Sequence, residues 1–122
     1  MGRETDLIVV YTTFESIHQA KDVGHELIKQ RLAACMNIVP AMTSIYEWEG
    51  EVLETSEAVM LIKTSRRCQA EVLRRTKELH PYDTPALYVL DPLHTDSDFG
   101  AWIAEQTVTS AKTGSAKKKR TL

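Results

Sequence analysis

The chain has 122 residues, enough for one domain that buries roughly two-thirds of its unfolded surface and needs no disulfide or metal staple to hold a core. Apolar residues make up 43% and charged residues 26%, and no apolar run reaches the ~18 residues of a membrane-spanning helix, so no membrane partner is expected. The net charge of −2 is unevenly placed: residues 109–122 carry five Lys/Arg and no acid, leaving ten basic against seventeen acidic residues elsewhere, a balance of −7 that argues against nucleic-acid binding by the folded body.

The opening MGRETDLIVV has no cationic segment leading into a long apolar core, so no secretory signal is expected. On that reading Cys35 and Cys68 are reduced thiols and the compartment is the cytoplasm.

Leu7–Thr13 is an unbroken apolar and β-branched run, which predicts a strand buried on both faces. Ser16 followed by Gln19 is a capping box and starts a helix from Ile17 to about Ala34. Its apolar stripe is Ile17, Ala20, Gly24, Leu27, Ile28 and Leu32. From Ala33 to Thr64 the chain reads as two long strands around Trp48-Glu49-Gly50-Glu51, where Gly50 supplies the positive φ of a tight turn. Pro40 predicts a bulge in the first arm. Each arm holds a dozen or more residues against a usual five or six, so the hairpin overhangs the domain. A second helix is expected from Arg66 to Leu79, capped by Ser65, with Ala70, Val72, Leu73 and Leu79 inward and Cys68 in its exposed first turn. Pro81 stops it. A proline-bounded loop, His80–Pro85, leads to a strand at 86–90. A last helix, Ser97–Gln106, buries Phe99, Trp102 and Ile103. The Lys117–Arg120 run belongs to a basic tail, residues 109–122, expected to be disordered. The order βαββαβ predicts an α+β, ferredoxin-like plait with a long hairpin between its second and third strands and a C-terminal helix.

Little in the residues announces chemistry. His18 and His25 are seven apart on one helix, about 10 Å along its axis, too far to share an ion. Cys35, between Ala34 and Met36, reads either as a small buried hydrophobe or as a soft-metal ligand. His80, Tyr82 and Asp83 are held in a rigid loop, which suits a recognition site and equally suits a plain connection. Glu47, Glu49, Glu51, Glu54 and Glu57 gather on the hairpin, where carboxylates guard strand edges. No phosphate loop, Ser-centred elbow or HExxH pattern occurs, so the residues do not support an enzyme.

Several segments together resemble the CutA family, the divalent-cation tolerance proteins. They are Arg31–Cys35, Asn37–Pro40, Thr43–Gly50, Glu57, Leu61–Thr64, His80–Pro85 and Trp102, and the likeness runs from about Leu7 to Glu105. The resemblance implies a homotrimer in which the long hairpins of three chains associate edge to edge. Copper or another divalent metal is the ligand proposed for the family, and no cofactor is certain. Of the metal ligands proposed in the family, Cys35 and His80 carry over. Thr12 stands where the family prototype has a first-strand cysteine, and Leu79 replaces one of two adjacent histidines. A likeness of the family to PII signalling proteins implies a second reading, a small-molecule sensor. Its clefts between chains would be lined by Tyr46, Trp48, Glu57, Lys63, Tyr82 and Trp102, with Lys63 meeting an anionic group and the aromatics stacking on a ring.

Overall fold

Leu7–Phe14 forms β1, and its alternation sets the two faces of the sheet. Ile8, Val10 and Phe14 are fully buried on one side, while Val9 and Tyr11 on the other are only half-buried. β1 is the central strand. It pairs antiparallel with β3 (Glu51–Ser65) and with β4 (Leu87–Leu90), and β2 (Cys35–Trp48) lies outside β3, giving the order β2-β3-β1-β4. Helices α1 (Ile17–Lys29) and α2 (Gln69–Leu79) cover one face, and α3 (Ser97–Gln106) follows β4. This is the ferredoxin-like α+β plait that the pattern predicts. The computed structural model describes residues 6–107, so the expected basic tail lies outside the described residues.

The core forms where the helices meet the sheet. Ala20, Val23 and Leu27 of α1 and Val72 of α2 pack on Ile8, Val10, Phe14, Met60 and Ile62. Full burial of each large apolar side chain stabilises the fold by about 1.5–3 kcal/mol. A second cluster joins Leu7, Ala34 and Ile103, with Cys35, Phe99 and Trp102 against it.

Five local expectations need correction. Helix α1 ends at Lys29 rather than near Ala34, because Arg31 takes a left-handed φ of 61°. The Leu32 N–H then donates to the Leu27 carbonyl and the Arg31 N–H to the Ile28 carbonyl, which is a Schellman stop. Val23 joins the buried stripe of α1, whereas Ile17 and Ile28 are exposed. The second helix opens with a 3₁₀ turn, Arg66–Cys68, and Ser65 makes no cap, since its hydroxyl pairs with that of Thr107. Its α-helical part buries Val72 and Thr76, leaving Ala70 exposed. Cys68 is buried rather than exposed, its thiol donating to the Thr107 carbonyl at 3.2 Å.

The hairpin is as long as its sequence suggests. Glu49 and Gly50 both have positive φ, 50° and 83°, as a two-residue turn between twisted strands requires. β1 reaches only to Ala58 of β3, so residues 51–57 pair with β2 alone. That two-stranded arm extends about 23 Å beyond the sheet. A bulge at Pro40 and Ala41 interrupts the ladder between Val39 and Met42, and Ala41 has φ of 63°.

Candidate functional site

The sheet face opposite α1 and α2 carries the candidate residues. Pleating places Val9, Tyr11 and Thr13 of β1 on it, with Glu57, Val59, Leu61 and Lys63 of β3 and, through the registers, Tyr88 and Leu90 of β4. Before the bulge β2 contributes Cys35, Asn37 and Val39, and after it Met42, Ser44 and Tyr46. The bulge keeps both halves of β2 on this face by changing their pairing with β3.

Glu57 is the polar centre of the face. Its carboxylate accepts from the Ser44 hydroxyl at 2.7 Å, the Tyr82 hydroxyl at 2.9 Å and the Thr13 hydroxyl at 3.3 Å. Burial, then the hydrogen bond to Glu57 and its charge, pushes the Tyr82 phenol far above its ordinary range, so Tyr82 stays a donor. Tyr46 is close enough to add a little to that shift. Tyr11 stacks on Tyr88 with ring centres 4.6 Å apart and points its hydroxyl at the Met42 sulfur, 3.8 Å away.

His80 supports this centre from the end of α2. Its Nδ1 lies 3.1 Å from the Tyr82 backbone nitrogen and its Nε2 lies 2.8 Å from the Thr13 carbonyl. A backbone N–H only donates, so Nδ1 accepts and Nε2 carries the proton. The ring stacks on Phe14 at 4.3 Å. Burial lowers its pKa, opposed by the Thr13 carbonyl and the Glu57 charge.

The other expected residues lie away from this centre. Lys63 pairs with Asn37 and sits opposite Cys35 at the far end of β3. Trp102 packs beside Cys35 and Phe99 in the second cluster. Trp48 lies at the hairpin tip, 56% exposed. Thus Glu57, Tyr82 and His80 come together with Tyr46 nearby, Cys35, Lys63 and Trp102 gather at the other end of the sheet, and Trp48 stands apart at the tip.

Copper fits poorly on Cys35 and His80 as a pair within one chain. Cys35 is level with Val9 through Lys63, and His80 is tied to Thr13, about 13 Å further along β1. Both His80 nitrogens are engaged. Among the described residues no group of three His, Cys, Asp or Glu stands close enough to hold an ion. Thr13, Ser44 and Phe14 were not among the expected site residues. Alternation along β1 would have placed Thr13 on the face of Tyr11, but nothing in the sequence orients Ser44 or Tyr82 towards Glu57.

Fold and face define a ferredoxin-like α+β protein with an apolar open sheet face and a polar centre at Glu57. Residues 8–106 match the model of the CutA1 divalent ion tolerance protein family, and the chain belongs to that family. It is 39% identical over 99 residues to the divalent-cation tolerance protein CutA of Thermus thermophilus, covering 81% of this chain and 96% of that one. Among solved structures it resembles the divalent ion tolerance protein CutA1 of Ehrlichia chaffeensis, with a TM-score of 0.82, 30% identity and coverage of 85% of this chain and 97% of that one. It also resembles the periplasmic divalent cation tolerance protein CutA of Archaeoglobus fulgidus, with a TM-score of 0.80, 31% identity and coverage of 84% and 99%.

Proposed function

We propose that the chain acts as a non-catalytic homotrimer in divalent-cation tolerance, holding copper or another divalent ion weakly between chains. The observation that carries this reading is the overhanging arm. An isolated two-stranded ribbon is marginal in water, yet this one displays Ile45, Tyr46, Trp48 and Val52 to solvent, and the open sheet face adds Val39, Tyr88 and Leu90. A protein of this size gains most by covering such surface with further copies of itself, which also removes the bare edge of β2. The separation of Cys35 from His80 favours a weak ion site shared between chains over a chelate within one. Glu57 directs its lone pairs to three hydroxyls, which suits a structural role better than acid–base work. Two cysteines outside any disulfide suit the cytoplasm; the Archaeoglobus relative is described as periplasmic.

Sedimentation at micromolar concentration tests the assembly, with a trimer expected and a monomer overturning it. Calorimetric titration with Cu²⁺ tests the ion. Binding is expected to be weak and to fall further in Cys35→Ala and His80→Ala; variants that bind like the wild type would remove both residues as ligands.

A second reading rests on Lys63. It presents an ammonium group on the open face beside Asn37, where a cleft between chains would receive a small anionic ligand. Thermal-shift screening against nucleotides and metabolites separates the two readings, since a silent screen with a clear metal response leaves only the first.

A further inference from the structure

The arm and the body of the sheet meet at the β-bulge. Pro40 and Ala41 together stand against the single residue Ala58, between the Val39–Val59 and Met42–Glu57 pairs. Pro40 has no N–H to add to the ladder, and Ala41 occupies the left-handed region at a cost of about 1 kcal/mol. The ladder is therefore interrupted where the arm begins. Glu57 is the first arm residue of β3 beyond that point, and its side chain spans it. It reaches Ser44 on the arm, Thr13 on β1 and Tyr82 on the loop between α2 and β4. The loop is itself fastened to β1. His80 donates to the Thr13 carbonyl and accepts from the Tyr82 N–H.

We propose that this bulge is a hinge and that the Glu57 carboxylate is a coupling brace across it, through which the position of the His80–Pro85 loop sets the angle of the outer hairpin arm. A ligand or partner that draws Tyr82 away from Glu57 then loosens an arm it does not touch. The contacts of the brace lie within one chain and involve no metal, and every variant is compared with the wild type in the same oligomeric state.

Hydrogen exchange of the full chain tests it. Tyr82→Phe keeps the ring and removes only the donor. It is expected to speed exchange of amides in 42–56 about tenfold, the effect of losing one hydrogen bond to a charged group, and to leave 35–39 and 59–63 unchanged. Coupling is reciprocal, so Ser44→Ala on the arm is expected to speed exchange at Tyr82, Asp83 and Thr84. Arg74→Ala, which breaks the Glu71 and Glu78 ion pairs on the outer side of α2, serves as the control and is expected to change neither region. The proposal is overturned if Tyr82→Phe leaves the arm unchanged or loosens both halves of the hairpin equally. It is also overturned if Ser44→Ala has no effect on the loop.

Discussion

Replacing Glu57 with alanine removes the acceptor shared by three hydroxyls. A hydrogen bond to a charged group contributes about 1.5–3 kcal/mol net when buried. The Ser44 and Tyr82 bonds, at 2.7 and 2.9 Å, have good lengths, and the Thr13 bond at 3.3 Å is long. The site is only partly buried, so the lower figure applies to the two short bonds, with about 0.5 kcal/mol for the long one, and water recovers part of the loss. The expected destabilisation is about 2–3 kcal/mol. Glu57→Gln keeps one acceptor oxygen and presents an amide donor in place of the other. The facing hydroxyls can rotate to accept from it, so the glutamine variant is expected to lose about 1 kcal/mol. Equilibrium urea unfolding measures both, at one fixed protomer concentration because an assembling chain gains stability by mass action. A loss under about 0.5 kcal/mol in Glu57→Ala would refute this account. So would a glutamine variant as unstable as the alanine one, because the argument rests on retained acceptor geometry.

Three further outcomes follow from local geometry. Arg31→Gly relieves a left-handed residue at the end of α1, and thermal denaturation should show a gain of about 0.5–1 kcal/mol. Gly50→Ala should cost about 1 kcal/mol at φ of 83°; its new Cβ meets no atom within 4 Å, so the loss is purely backbone strain. The third concerns pH. His80 has a folded pKa below its unfolded value of 6.5, so the unfolded chain binds the extra proton first. Its contribution is complete above about pH 6.5 and is lost as pH falls from there towards the folded pKa. Unfolding free energies between pH 7.5 and 5 should decline in the wild type and decline less in His80→Gln; equal slopes would exclude His80 as the source.

The sequence was most readable where a local rule acts alone. The unbroken apolar run Leu7–Thr13 identified the central strand, although its second face is only half-buried at Val9 and Tyr11; Gly50 marked the turn, and Pro40 marked the bulge. Ser16 capped α1 as expected, although the Gln19 side chain accepts from the Glu15 N–H rather than that of Ser16. It was least readable where a distant group overrides the local rule. Arginine is an unusual residue for a left-handed helix stop, and nothing around Arg31 announces one. The Lys63 carbonyl, receiving the Ala34 N–H, holds the chain that follows it. Ser65 looks like a cap until Thr107 claims its hydroxyl, and Cys68 looks exposed until the same residue covers it. Glu57 was visible only as one of five hairpin carboxylates. What distinguishes it is tertiary: it alone lies at the hinge, on the face shared with Thr13 and within reach of Tyr82.

That distinction also separates two roles that the family likeness joins in His80. As a metal ligand the imidazole must offer a lone pair, and the only one it has, on Nδ1, already accepts the Tyr82 N–H. An ion binding there must first release the Tyr82 N–H, which frees one tie of the loop that carries the Tyr82 hydroxyl to Glu57. Metal binding at His80 and a firmly braced arm are therefore opposed within one chain. If copper does bind through His80, its affinity is reduced by whatever the Tyr82 contacts contribute, and Tyr82→Phe, which weakens the loop, should tighten Cu²⁺ binding in the calorimeter. Unchanged or weaker binding in that variant would show that the ion does not compete with the brace.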